Sequence, residues 1–393
     1  MSRVVLVTAR WGAEHGESGD VVRLLAGALA VRTEVEVVSL GTSGLSLATD
    51  AQVSTRRESV FTVHEVAGTT AESSQEGLLR IALAATDATR VPEIAGRRLV
   101  ELQGGRAPRT AELICSLGAE AVVLAGPETW WLPGELQSLQ SGLRVVSLPL
   151  LGDDPVAELG EFRPLLTQVG AVGVLSRAES RRLAGCSGAF GMPAVTELPA
   201  MTELDVAFAV NHSAAAQLMV GMSHFGRFVV LLTGFPEGTP GAPRSPGHDY
   251  VRRALGPIAV AEVGHGRWSV SDTTKARQVP VGPSRPNLWK LLSHAEVCLD
   301  LRPQGIVGRE TLESLLLGTP VVVPEDTVAA EHAQRSNGGL WYRDFGELFD
   351  QARAILDDAS LRERLSLQGR AWATEMHGDH GRFCEQAARF VLG

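Results

Sequence analysis

One stretch of this chain gathers the residue types that recognition of an anion requires. Between Val297 and Pro324 come Gly305 and Gly308, then Arg309, Glu310, Thr311 and Glu313, then Gly318, Thr319 and Pro320. Glu310 to Leu317 has helical spacing, so Gly308 and Arg309 stand at a helix start. Such a start presents unpaired N–H groups and a partial positive charge, which suit a phosphate. Gly308 lets a ligand approach the backbone closely, and Gly308 to Thr311 is therefore the expected phosphate cradle. Arg309 is the nearest side-chain cation. Glu310 and Glu313 place two carboxylates on the same helix, where the bland alternative is a solvated helical face. Glycines also mark two other loops, at Gly16 and Gly19 and at Gly234. Gly16 and Gly19 fit a backbone approach to phosphate or a plain strand-to-helix turn.

The elements around this stretch are expected to be those of an open α/β sheet. Val297 to Leu301 and Val321 to Val323 are short apolar runs, the pattern of buried parallel strands. In such sheets ligands bind beyond the carboxyl ends of the strands, which makes the loop Arg302 to Arg309 the binding edge. Further strands are expected at Arg3 to Ala9, Glu34 to Leu40, Val60 to Val66, Ala121 to Ala125, Arg144 to Leu148, Ala171 to Leu175, Arg227 to Thr233, Ile258 to Val263 and Arg277 to Val281. Helices are expected between them, among them Val21 to Ala30 (capped by Ser18 or Asp20), Leu99 to Leu117, Leu288 to His294, Phe345 to Leu356, Leu361 to Met376 and Arg382 to Leu392. Alternation of this kind implies a parallel sheet in each half. A chain of 393 residues exceeds one ordinary core. We expect domains at 1–205 and 206–370, joined by a small-residue crossing from Gly185 to Phe225, and a final helical segment 371–393.

Composition excludes several classes of partner. The net charge is −9, with no basic block, which argues against nucleic acid and against an anionic membrane surface. No run approaches the ~18 apolar residues of a membrane span, and the short apolar run after Met1 lacks a cleavage site. The 4 cysteines have no C-x-x-C pairing, so no zinc site or disulfide framework is indicated, and a reducing cytoplasm is the simplest compartment. Arginine far outnumbers lysine, which suggests a GC-rich, bacterial genome.

The segment from Pro303 to Val322 resembles the donor-binding motif of GT-B glycosyltransferases, the large family 4 in particular. Pro303, Gly308, Glu313, Gly318, Pro320, Val321 and Val322 fall at matching positions. The strand Ala171 to Leu175 followed by Ser176 and a helix rich in Glu and Arg, and the stretch Ser336 to Tyr342, are similar to further landmarks of the family. The resemblance implies two Rossmann-like domains facing each other across a cleft. It also implies transfer of a sugar from a nucleotide-sugar donor to an unidentified acceptor, with retention of configuration and with neither metal nor separate cofactor. Glu313 matches the family glutamate on the nucleotide's ribose, while Gly305 stands where the family has a second glutamate near the donor sugar. After the strand ending at Gly234 the family carries phosphate-binding cations, and this chain reads Phe235-Pro236-Glu237-Gly238. Arg309 or Arg244 would have to compensate. The family's cleft histidine is replaced by Pro149-Leu150, with His15 and His64 as the local candidates. These departures leave a second reading open, a catalytically inactive GT-B protein that binds a nucleotide, a glycan or a protein. A GT-B epimerase is a third, without a motif of its own.

Overall fold

The computed structural model describes residues 2–9, 11, 16–40, 53–66, 107–126, 129–130, 132–151, 168–190, 193, 195–199, 227–233, 253–264, 268–272, 277–302 and 305–393. Its contacts divide the chain into two compact units, Met1–Pro199 together with His380–Gly393, and Ala200–Asp379.

The first unit runs β1 (Arg3–Thr8), α1 (Gly16–Ala30), β2 (Glu34–Ser39), β3 (Val53–Glu58), β4 (Phe61–Val66), α2 (Ala107–Ser116), β5 (Ala121–Ala125), α3 (Leu132–Leu139), β6 (Arg144–Leu148), β7 (Ala171–Val174), α4 (Arg177–Phe190) and β8 (Val195–Glu197). The sheet order is β3-β4-β2-β1-β5-β6-β7-β8, parallel throughout except for β3 against β4. Val4 to Val7 and Val122 to Leu124 are fully buried, as strands covered on both faces must be. The terminal helix His380–Leu392 packs into this unit. Gly173 on β7 gives Phe390 its space, since a Cβ there would lie 2.9 Å from the ring. Arg144 donates to the carbonyls of Val391 at 2.8 Å and Phe390 at 3.1 Å, satisfying the orphan acceptors of the last turn.

Several expectations are corrected in this unit. Helix α1 begins at Gly16, not Val21, so Gly16 and Gly19 are helical residues and Ser18 and Asp20 lie inside the helix. Ser18 and Gly19 are buried, and Asp20 pairs with Arg23 at 2.5 Å. Packing of this first turn outweighs the poor helix propensity of glycine. Val60 is 70% exposed in a turn after Ser59, which has φ 56°, so the strand begins at Phe61. The polar strand β3 pairs with it as an exposed edge. Helix α4 continues through Gly185, and β8 lies beyond it, inside the stretch read as a crossing. His64 is buried on β4 between Thr55, 3.0 Å from Nδ1, and Glu36, 2.9 Å from Nε2. His15, Gly234, Arg244, Pro303 and residues 200–226 lie outside the described residues.

The second unit runs β9 (Phe228–Leu232), β10 (Ala259–Val263), β11 (Trp268–Asp272), β12 (Arg277–Val281), α5 (Arg285–His294), β13 (Val297–Asp300), α6 (Arg309–Leu316), β14 (Val321–Pro324), α7 (Val328–Ser336), β15 (Gly339–Tyr342), α8 (Phe345–Asp357) and α9 (Ala359–His377). The order is β12-β11-β10-β9-β13-β14-β15. Strands β10, β9, β13, β14 and β15 are parallel, and β11 and β12 add an antiparallel ribbon. Ser284, Thr327, Asp344 and Asp358 cap α5, α7, α8 and α9 through side-chain oxygens. Helix α6 is different, because its N-cap is Gly308 and no side chain caps it.

Close backbone packing is concentrated at Gly338 and Gly339. A Cβ on Gly339 would lie 2.4 Å from the carbonyl oxygen of Val321, whereas one on Gly27 in α1 would meet nothing within 4 Å. Gly339→Ala should therefore lose about 1–3 kcal/mol of stability by overpacking. Gly27→Ala should gain about 1 kcal/mol from helix propensity. Urea unfolding of the two variants beside the parent checks this, and shifts of the same sign would contradict it.

Candidate functional site

The site is assembled at the carboxyl end of β13. Asp300, the last residue of that strand, sits beside Leu232 at the end of β9 and is 2% exposed. Arg302 folds back on it. Its backbone N–H donates to Asp300 Oδ1 at 3.0 Å, its Nε to Oδ1 at 2.8 Å and its Nη2 to Oδ2 at 2.6 Å. The other arm of Arg302 reaches α6, Nη1 donating to Glu310 Oε2 at 2.5 Å. Arg285, the first residue of α5, donates through Nη1 to Glu310 Oε1 at 2.7 Å and forms an ion pair through Nη2 with Glu313 Oε2. One turn earlier on α6, Arg309 Nε donates to Glu313 Oε1 at 3.2 Å. Asp300, Arg302, Glu310, Arg285, Glu313 and Arg309 thus form a ladder of alternating charge drawn from β13, α5 and α6.

Exposure divides the ladder. The side chains of Arg285 and Arg302 are each 25% exposed and that of Glu310 16%, whereas those of Arg309, Glu313 and Asp300 are 2%, 0% and 3% exposed. Burial works against the charge of Glu310, but the guanidiniums of Arg302 and Arg285 outweigh it and hold the carboxyl well below the ordinary range. Burial dominates at Glu313 and raises its pKa, although Arg285 and Arg309 oppose the rise. Both outer arginines stay cationic, because their carboxylates overcome the desolvation that would lower them.

The helix start is built by Gly308 and by α7. Gly308 has φ 63° and ψ 45°, a left-handed conformation that favours glycine. Any Cβ there would lie 3.3 Å from Ala329 Cα and 3.3 Å from His332 Cδ2. The imidazole of His332 holds the preceding residue, Nε2 lying 2.6 Å from the carbonyl of Val307. A carbonyl only accepts, so Nε2 carries the proton. Burial pushes the pKa of His332 down to about 4, against the help of the Val307 carbonyl, and Arg335 pushes the same way. The ring is therefore neutral.

These positions bring together Gly308, Arg309, Glu310, Thr311 and Glu313 on α6, as the spacing implies. Gly16 and Gly19 lie in the other unit. Arg309, expected as the phosphate cation at the helix mouth, is buried against Glu313, and the Glu313 carboxylate is covered by Arg285 and Arg309. Arg285 and Asp300 escaped the sequence reading, and Arg302 entered it only as the start of the binding-edge loop. Asp300 and Arg302, two apart at a strand end, are a faint signal, and Arg285, 25 residues before Glu310, has none. Thr311 is 1% exposed and its hydroxyl has no hydrogen-bond partner among the described residues. No group of three or more His, Cys, Asp or Glu arranged for a metal ion occurs among the described residues, and no described helix is long and apolar enough to cross a membrane.

The neutral His332 makes stability pH-dependent. Between pH 6.5 and 4 the unfolded chain binds a proton at this ring that the folded chain does not. Its contribution is complete above pH 6.5 and is lost as pH falls to about 4, a change of roughly 3 kcal/mol. His332→Gln, which can still donate to Val307, should lose less stability than the parent across this window. Urea unfolding at pH 7 and pH 4.5 measures the difference, and equal losses would remove His332 as the cause.

No protein-family model matches the chain, and no curated protein sequence matches it significantly. Solved structures do. An alpha,alpha-trehalose-phosphate synthase (UDP-forming) from Burkholderia vietnamiensis superposes with a TM-score of 0.72 at 12% identity, covering 99% of this chain and 96% of that one. An E. coli trehalose-6-phosphate structure bound with UDP-2-fluoro glucose gives 0.65 at 13% identity, with 98% of each chain covered. A sucrose-phosphate synthase from Thermosynechococcus elongatus gives 0.61 at 17% identity, covering 99% and 98%. The chain therefore has the GT-B fold of two Rossmann-like α/β domains.

Proposed function

We propose that this chain is a glycosyltransferase that moves a sugar from a nucleotide-sugar donor to an acceptor, with retention and without metal. The observation that carries the proposal is the uncapped, glycine-opened start of α6 beside partly exposed arginines at the carboxyl end of β13. It sits in a fold shared along the whole chain with enzymes described as UDP-forming. A diphosphate over the backbone N–H groups from Gly308 to Thr311 would have its charge stabilised by the helix start. The same groups would stabilise the departing nucleoside diphosphate as the glycosidic bond breaks, and holding donor and acceptor together would supply the rest.

In this reading Glu313 receives the ribose hydroxyls after Arg285 turns away from it. Arg309 stays beneath Glu313 as its permanent counterion, buried and one helical turn away. The competing reading, a binding module without catalysis, draws on the closed charge ladder. Glu310 and Glu313 are already engaged by arginines, and Gly305 offers no carboxylate for the sugar.

Calorimetry with uridine, guanosine and adenosine diphosphates and their glucose conjugates tests the proposal, coupled to mass spectrometry for sugar transfer to phosphorylated and free hexoses. We expect binding of one nucleoside diphosphate and release of that diphosphate from its sugar conjugate. Binding without turnover would establish the binding module instead. Glu313→Gln should weaken the bound nucleotide by about 1.5–3 kcal/mol, the contribution of a hydrogen bond to a charged group. Unchanged affinity in a variant with the parent's thermal midpoint would rule out the ribose role.

A further inference from the structure

We infer that Glu310 is an internal anion occupying Arg285 and Arg302 in the place of the donor's diphosphate, which makes these two arginines the site's phosphate-binding cations. The inference rests on the donor-site reading above. Both oxygens of Glu310 are used, Oε1 by Arg285 at 2.7 Å and Oε2 by Arg302 at 2.5 Å. One small anion thus bridges two guanidiniums, an arrangement that phosphate oxygens reproduce with the same donors. These are also the three members of the ladder that solvent reaches, so an incoming anion meets them first. Arg309 is sealed against Glu313 and cannot be met in this way.

The groups around Glu310 are incompletely satisfied. Among the described residues, Arg285 Nε and Nη2, Thr311 Oγ1 and Glu313 Oε2 are buried without a hydrogen-bond partner. The contact of Arg285 Nη2 with Glu313 Oε2 is close but not aligned as a hydrogen bond. Buried donors in this state are rare in folded proteins, and a diphosphate brings the acceptors that Arg285 lacks. Arg302 is ready to stay in place when Glu310 leaves, because Asp300 holds it by three hydrogen bonds. Arg285 is ready to move, since its hold on Glu313 is the poorly aligned one. Its turn toward phosphate would at the same time uncover Glu313 for the ribose. The three arginines and three carboxylates of the ladder sum to zero, so a diphosphate that arrives with Glu310 still in place meets a like charge and no net attraction. Donor binding therefore requires Glu310 to swing off the arginines.

The test uses inorganic pyrophosphate, which carries the phosphate chemistry without base or sugar, titrated calorimetrically at low salt into the full chain. Glu310→Gln is expected to bind it at least tenfold more tightly than the parent, with a steeper loss as salt rises. Arg285→Gln, which leaves Glu313 its partner Arg309, is expected to bind it at least tenfold more weakly. Near-ultraviolet circular dichroism and thermal midpoints establish that each variant is folded, and if Glu310→Gln does not fold, Arg285→Gln decides. Pyrophosphate affinity unchanged in Arg285→Gln, or unchanged or weakened in folded Glu310→Gln, overturns the inference. If the parent meanwhile binds a nucleoside diphosphate, the donor reading survives that result. Tighter pyrophosphate binding by Glu310→Gln with no nucleotide binding by either protein would uphold the internal anion and refute the donor reading.

Discussion

The neutrality of the charge ladder at the end of β13 is the constraint on which the second unit's functional edge depends. Removing a charge from water costs several kcal/mol even after relaxation, and only well-placed opposite charges offset it. Glu313 and Arg309 are almost wholly sealed, so each serves as the other's counterion, and Arg285 adds a second cation against Glu313. That requirement fixes the start of α5 against α6, since Arg285 is the first residue of its helix. It likewise fixes the loop after β13, because Arg302 must reach both Asp300 behind it and Glu310 ahead of it. Three consecutive elements, α5, β13 and α6, are thus tied by charge as well as by packing.

The helix start is positioned by a different set of forces. Gly308 turns left-handed so that Arg309 can begin α6 without a side-chain cap, and α7 presses against that turn closely enough to exclude a Cβ. His332 secures Val307 from the same helix, while Trp372 and His377 of α9 pack around its ring at 5.8 and 5.6 Å between centroids. The arrangement leaves the first N–H groups of α6 at the binding edge without a hydroxyl or carboxylate in the capping position. Each of the other helices in this unit with a described N-cap carries one.

How much of this was legible in the sequence follows from where the information lies. Strands Ala121–Ala125, Arg144–Leu148 and Arg277–Val281 were read to the residue, the first because a fully buried strand is a continuous apolar run. Strands β3 and β8 were missed because they are largely polar sheet edges without an apolar run, and β11 because Trp268–Asp272 carries a single aliphatic residue. Helix α6 was placed within one residue, since Gly308 and Gly318 bracket it. The ladder was not legible. Local spacing shows Arg309 and Glu313 one turn apart but not that both are buried, and nothing in the order of residues brings Arg285 to Glu310. Arg309 looked like a free cation for the same reason, because its burial is set by tertiary packing and not by local spacing.

The proposed relocation of cations is geometrically modest when viewed along the sheet. The resembled family holds the donor's phosphates with basic residues after the strand equivalent to β9, where this chain has Phe235 and Glu237. Strands β9 and β13 are adjacent and parallel, with Asp300 in register with Leu232, so their carboxyl ends open on the same edge about 5 Å apart. Arg302, two residues beyond Asp300, therefore projects from the neighbouring strand end to the same edge, and Arg285 reaches it from α5. An anion at the start of α6 is indifferent to which strand supplies its counterions, provided they are held. In the proposed reading the cations change strand while Gly308 and Glu313 keep their places, and the charge ladder, not the motif after β9, marks the anion-binding edge.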